Sequence, residues 1–109
     1  MIKITIFRNS EQTYMGFDCI GHAGFAPEGE DIICAGVSSL VINTVNSIAH
    51  FTKTKFSTDS DEKTGKLTVK FDAPADHDTN LLMQSLVLGL QGIQNNYGNK
   101  YMKLDFREV

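Results

Sequence analysis

Tryptophan is absent from the chain, and proline and cysteine occur only twice each. Two prolines are too few for a polyproline tract, and no repeat, linker or low-complexity segment is present. The cysteines, Cys19 and Cys34, are too few for a disulfide-stapled scaffold. Neither belongs to a CxxC pair, which argues against a zinc ribbon or a thioredoxin-type centre. With no secretion signal in view they read as thiols, although the sequence does not exclude a disulfide. The N-terminus alternates like a strand and lacks an apolar signal-peptide core, so the expected compartment is the cytosol. No apolar run approaches the ~18 residues of a membrane span, and no membrane partner is expected.

Basic residues are missing from one long stretch. Residues 9–52 contain no Lys or Arg but carry Glu11, Asp18, Glu28, Glu30 and Asp31, a local charge of −5. The rest of the chain holds ten basic and eight acidic residues, and the whole carries −3. A general nucleic-acid binder is more often basic, so direct nucleic-acid contact is not expected. A surface built from the acidic half favours a cationic partner. The plainer alternative is a solvated acidic face.

What is present is enough for one folded domain spanning residues 1–109. At this length roughly 60–65% of the unfolded chain's surface is buried on folding. Hydrophobic residues make up 41% and charged residues 21%, which argues against disorder.

Ile2, Ile4 and Ile6 alternate as a first strand, and Asn9 to Gln12 form a polar turn. Thr13 to Gly21 reads as a second strand, hairpin-paired with the first. His22 to Gly29 is loop-like, broken by Gly24, Pro27 and Gly29. A helix starts near Asp31, with Ile33, Val37, Leu40, Val41, Thr44, Val45 and Ile48 as its apolar stripe. Lys55–Asp61 and Lys66–Phe71 read as two strands joined by a polar turn. Asp76 and Asp78 suit the start of a second helix, Leu82, Leu86, Leu90, Ile93 and Tyr97 form its stripe, and Gly98 suits its end. Met102, Leu104 and Phe106 alternate in a last strand. The expected fold is therefore α+β: a two-layer sandwich of order β-β-α-β-β-α-β, with two helices on one face of a mostly antiparallel sheet.

Chemistry concentrates between the second strand and the first helix. His22 ends the strand, and Cys34 lies in the predicted first turn of the helix. Unpaired amides and the positive dipole end of a helix favour a thiolate, and a nearby imidazolium favours it further. The same amides can stabilise an oxyanion during acyl transfer. A Cys/His pair supplies a nucleophile and a general base. The alternative for Cys34 is a small buried hydrophobe. Cys19, inside a strand, reads as structural. His50 and His77 read as surface histidines. Metal binding by His22, Cys34 and a carboxylate lacks a recognised ligand spacing, and neither metal nor cofactor is expected.

Asp31 has two readings, as an N-cap for the Cys34 amide or as the carboxylate that orients His22. Ser38, one helical turn after Cys34, can serve the thiolate or the substrate, or bond back to its own i−4 carbonyl. Gly21, Gly24 and Gly29 allow a hinged lid over the site, with Phe25 at its tip packing on the site or on a substrate side chain; an ordinary connection is the alternative.

Gly21-His22-Ala23-Gly24, followed by Gly29-Glu30-Asp31-Ile32-Ile33-Cys34-Ala35-Gly36-Val37-Ser38, resembles the signature of the ribosomal-processing cysteine protease family, Prp. Chain length, the order of elements and the Gly98-Asn99-Lys100-Tyr101 segment agree with that family. The resemblance implies a cytosolic bacterial homodimer that removes the N-terminal extension of a large-subunit ribosomal protein. It implies His22 and Cys34 as the catalytic dyad, supporting roles for Asp31 and Ser38, and an apolar pocket for a Phe-Phe pair before the scissile bond. Two readings from other classes stand beside it: a non-catalytic ribosome-associated binding module, and a redox-sensing thiol protein at Cys34 with Cys19 as resolving thiol.

Overall fold

Two runs of alternating apolar residues meet first. In the structure, a computed structural model that describes residues 1–21 and 30–109 without the side chains of Glu30 and Asp31, β1 (Ile2–Arg8) pairs antiparallel with β2 (Tyr14–Ile20). Ile2, Ile4 and Ile6 lie on one face of β1 and are buried. The register sets Ile4 opposite Cys19 and Ile6 opposite Phe17, so these share that face. The turn between the strands is tied by Asn9, whose Oδ1 accepts from the amides of Glu11 and Thr13 at 3.0 Å each.

The register slips between Phe7 and Arg8, where Met15 is the extra residue of a β-bulge. Gly16 beside it has φ +143°, and a Cβ there would stand 2.2 Å from the Val69 carbonyl oxygen. No residue but glycine fits so close an approach between neighbouring strands.

The sheet continues with β3 (Phe56–Asp61), β4 (Lys66–Phe71) and β5 (Met102–Glu108), in the order β3-β4-β2-β1-β5. All pairs are antiparallel except β1 with β5. Helices α1 (Glu30–Phe51) and α2 (His77–Tyr97) complete the order expected from the sequence. They cover the face that carries Ile4, Ile6, Phe17, Val69 and Met102.

α2 starts at Asp76, whose side chain accepts from the Thr79 amide at 2.8 Å, and ends at Gly98, with φ +78°. Both ends match the sequence. The stripe between them is turned from its predicted position. Met83, Leu86, Val87 and Leu90 are buried, Leu82 and Ile93 are partly covered, and Tyr97 is exposed. The predicted residues followed one edge of the apolar arc, and the sheet meets its centre. On α1 the predicted stripe holds, with Cys34 added to it. Buried Thr44 satisfies its hydroxyl on the Leu40 carbonyl at 2.7 Å.

α1 also departs from the expectation that no apolar run approaches a membrane span. From Ile32 to Phe51 the helix is 20 residues long without a charged side chain, long and apolar enough to cross a membrane. Scattered Ser, Thr and Asn interrupt the run in the sequence without lowering its mean hydropathy below that of a span. Its inner stripe is occupied by the sheet.

Candidate active site

β2 ends at Ile20, opposite Lys3, so Gly21 leaves the sheet beside the beginning of β1. Gly21 has φ +120°. A Cβ there would lie 2.8 Å from the Met1 carbonyl oxygen and 3.0 Å from Ile2 Cα. The backbone turn that delivers the next residue, His22, thus requires glycine. His22, Gly24, Phe25 and Gly29 lie outside the described residues, as do the roles the sequence suggests for them.

α1 begins at Glu30, one residue earlier than expected. Asp31 is therefore inside the first turn and not at the cap, and Cys34 is the fifth helical residue. In a regular α-helix the amide of a fifth residue already bonds the first carbonyl, so unpaired donors for an oxyanion must come from residues preceding Cys34. Cys34 still lies within reach of the positive end of the helix. Its side chain is 3% exposed and belongs to the main apolar cluster. Ser38, one turn on, is exposed, so the two residues sit at the covered and open edges of one strip of α1. Among the described residues the i−4 side-chain bonds of α1 and its end are made by Thr44 and Thr52, not by Ser38.

Cys19 packs against the same cluster. Its thiol is pushed up to about 11, first by burial, then by Asp18, then by the charge of Cys34. The two cysteines are not disulfide-bonded. A thiol held neutral is a poor nucleophile and a poor resolving partner, which supports the structural reading of Cys19 and weakens the redox reading. The proximity was missed from sequence, although the period-2 pattern of β2 already puts Cys19 on the face of Phe17.

His77 is almost fully exposed beside Asp78, and His50 is exposed at the end of α1, as expected of surface histidines. Among the described residues no cluster of three or more His, Cys, Asp or Glu is arranged to hold a metal ion.

The acidic half of the sequence does not form one surface. Asp18 stands on the open face of the sheet, between Thr5 and Thr68. Glu11 belongs to the β1–β2 turn, at the far end from Gly21. Glu28, Glu30 and Asp31 remain, immediately before or at the start of α1.

A cysteine set near the start of a helix, over a sheet whose second strand is followed in the sequence by Gly21-His22, is a frame suited to thiol-dependent hydrolysis. The family model described as cysteine protease Prp matches residues 1–103, and the chain belongs to that family of cysteine peptidases. A relative from Bacillus subtilis strain 168, the ribosomal processing cysteine protease Prp, is 31% identical over 101 residues, covering 89% of this chain and 90% of its own. The protein of the same name from Staphylococcus aureus is 27% identical over 98% of this chain and 100% of its own. The crystal structure of the S. aureus protease with a substrate peptide superposes with a TM-score of 0.90 at 26% identity, covering 98% of this chain and 100% of that one. The same protease with a covalently linked product peptide gives 0.86 at 27% identity, with the same coverage.

Proposed function

We propose that this peptidase removes the N-terminal extension of a bacterial large-subunit ribosomal protein, acting in the cytosol as a homodimer, with Cys34 as nucleophile and His22 as general acid and base. The observation that carries this reading is the match to the Prp family over nearly the whole chain, through the motif that contains both residues. The ribosomal processing named for the relatives, and the covalently linked product peptide of the S. aureus protease, support substrate class and nucleophilic mechanism.

The steps follow from the groups available. The Cys34 thiolate attacks the scissile carbonyl, and amides at the start of α1 stabilise the oxyanion. His22 protonates the leaving amine, then takes a proton from water, which hydrolyses the thioester and frees Cys34. Asp31 orients His22, and Ser38, at the open edge of the same helix strip, contacts the substrate. The sequence reading of Gly21, Gly24 and Gly29 as hinges and of Phe25 as a substrate contact belongs to this proposal, as does an apolar pocket for the Phe-Phe pair.

The test is cleavage of a peptide carrying the extension and several mature residues, followed by mass analysis. Cys34→Ala is expected to abolish cleavage with the fold intact, and Cys19→Ala to keep most of it. Near-normal turnover by Cys34→Ala would end the reading.

A further inference from the structure

β3 divides its side chains by character. Ser57, Asp59 and Asp61 stand on the open face of the sheet, and Phe56, Thr58 and Ser60 on the face that carries the helices. Both carboxylates of the strand are thus on the open side, and its helix side is uncharged. A residue on the covered face of a two-layer sandwich is ordinarily large and apolar. Thr58 and Ser60 are instead small, polar and exposed. The helical layer therefore ends short of β3.

The cover is also uneven along the strands. The row Leu104, Ile4, Cys19, Leu67 and Ser60 crosses the sheet at the end where β2 gives way to Gly21. Ile4 is fully buried, Cys19 and Leu67 are half-buried, and Ser60 is exposed. The next row away from Gly21 holds Ile6, Phe17, Val69 and Thr58, and its first three members are fully buried. The cover over β4 thus opens between Val69 and Leu67, two residues apart on one strand. Leu67 packs against the core cluster and still leaves part of its side chain open.

The same corner receives Cys34. α1 meets α2 through Gly36 and Leu40: a Cβ at Gly36 would lie 3.5 Å from Ile93 Cδ1, and one at Gly89 would lie 3.0 Å from Leu40 Cδ1. At ~100° per residue, Cys34 is about 160° round the helix from Gly36 and about 120° from Leu40. It therefore lies on the flank of α1 turned from α2. α2 packs on β5, at one edge of the sheet, so that flank looks towards β4 and β3 at the other. Ser38, one turn on and exposed, lies on the same flank. Cys34 and Cys19 share the core cluster, and Cys19 faces Leu67 across the β2–β4 ladder. Cys19, Leu67 and Ser60 are thus successive steps of ~5 Å leading outward from beside Cys34.

We propose that Leu67 and Ser60 form a side-chain subsite for the substrate, which takes a large apolar residue within about three residues of the scissile bond. Its floor is the open side of Leu67. Its outer wall is Ser60, whose small side chain leaves the room. An uncharged lining excludes Lys, Arg, Asp and Glu, because a charge moved there loses water and gains no partner. An extended peptide advances ~3.4 Å per residue, so the ~10 Å from Cys19 to Ser60 spans about three residues. Successive side chains of such a peptide point opposite ways, so not all of them reach the floor. The proposal rests on Cys34 as nucleophile and deepens the peptidase reading by naming the residues that select the side chain.

The test fills the space. Ser60→Phe adds a ring beside Leu67, and Ser57→Phe adds the same ring on the other face of the same strand. Both positions are exposed, so both variants are expected to keep the circular dichroism of the wild type. Ser60→Val, smaller and well suited to a strand, is the second filling. Cleavage of the peptide carrying the extension is measured for each protein, beside peptides in which each of the three residues on either side of the bond is replaced in turn by alanine. Ser60→Phe is expected to lower kcat/KM at least ~10-fold, chiefly through KM, with Ser60→Val between it and the wild type. Ser57→Phe is expected to match the wild type. One alanine peptide is expected to be a ~10-fold poorer substrate of the wild type and to lose little more with Ser60→Phe, because the group that collided is gone. Alkylation of Cys34 by iodoacetamide, which needs no subsite, is expected at the wild-type rate in Ser60→Phe. Equal kinetics for Ser60→Phe and Ser57→Phe, or a Ser60→Phe loss that is the same for every alanine peptide, overturns the subsite and leaves the peptidase reading intact. A wild type that does not cleave the peptide, or a Cys34→Ala that does, overturns both.

Discussion

Replacing Gly21 by alanine tests how β2 delivers the residue after it. The backbone there has φ +120°, a region that costs a residue with a Cβ about 1–3 kcal/mol. The new Cβ would also stand 2.8 Å from the Met1 carbonyl oxygen and 3.0 Å from Ile2 Cα, against an ordinary contact near 3.4–4 Å. Moving backbone by several tenths of an ångström in a packed region costs a further ~1–3 kcal/mol. Ile2 is poorly able to yield, because its amide donates to the Tyr101 carbonyl at 2.9 Å and its side chain is buried. The chain has two ways to relieve the overlap. It can keep the turn and lose about 2–6 kcal/mol, a large share of the ~5–15 kcal/mol that holds a domain of this size. It can instead rotate Gly21 out of its present conformation, which spares the sheet and displaces His22. A displacement of 1 Å at a reacting group costs about 100-fold in rate. The expected outcome for Gly21→Ala is therefore a lowered melting temperature, a fall of kcat/KM per folded molecule, or both. Gly16→Ala is the comparison. Its Cβ would meet the Val69 carbonyl in mid-sheet, far from His22 in the chain, so its cost falls on stability and leaves turnover per folded molecule unchanged. A Gly21→Ala protein that melts and cleaves like the wild type would refute the reasoning.

Three other perturbations have defined signs. Asp76 has its carboxyl held below the ordinary range, first by the Thr79 amide bond. The native state therefore releases this proton more readily than the unfolded chain, so its contribution is present at neutral pH and is lost as pH falls through the native value. Asp76→Asn should keep the cap and flatten the acid side of the melting-temperature profile; an unchanged acid limb would remove the cap from the account. Cys19 is the opposite case, pushed up from 9.0 to about 11. Its neutral form is favoured in the fold, so stability is full below pH 9 and declines by up to about 2–3 kcal/mol as pH rises towards 11. Cys19→Ala should decline less over that window, and identical alkaline limbs would contradict the burial of the thiol. For substrate capture, Glu28, Glu30 and Asp31 stand next to the motif while Glu11 and Asp18 are elsewhere, so replacing Glu28 and Glu30 by Gln should weaken the salt dependence of kcat/KM for a basic peptide. Kinetics insensitive to salt in both forms would reduce these carboxylates to a solvated face.

The order of elements was legible because each run carries a single period. Ile2, Ile4 and Ile6 permit only a strand, and Ile33, Val37, Val41, Thr44 and Ile48 permit only a helix. Caps were legible where one residue settles them, as Asp76 and Gly98 settle α2. What periodicity cannot supply is the centre of a broad apolar arc. In α2, Leu82, Leu86, Leu90 and Ile93 are as regular as Met83, Leu86, Val87 and Leu90, and only the sheet decides between them. The parallel pairing of β1 with β5 was likewise invisible, since nothing in either strand announces its neighbour.

At the site, the same limits separate position from role. Cys34 could be placed near a helix start from the loop residues before it, and a one-residue shift of that start removes Asp31 from the cap. That shift matters chemically. A capping carboxylate would accept from the Cys34 amide, whereas with the helix begun at Glu30 a regular ladder pairs that amide with the Glu30 carbonyl. The meeting of Cys19 and Cys34 at one apolar cluster joins β2 and α1, two elements separated in the sequence by the whole His22–Gly29 segment, and no spacing rule reaches across it. The uncharged helical layer shows the converse. The absence of Asp, Glu, Lys and Arg from 32–51 is plain in the sequence, but a run buried on all sides would look the same. Only the exposure of Ile42 and Leu88 shows that the missing charge lies on an outer face.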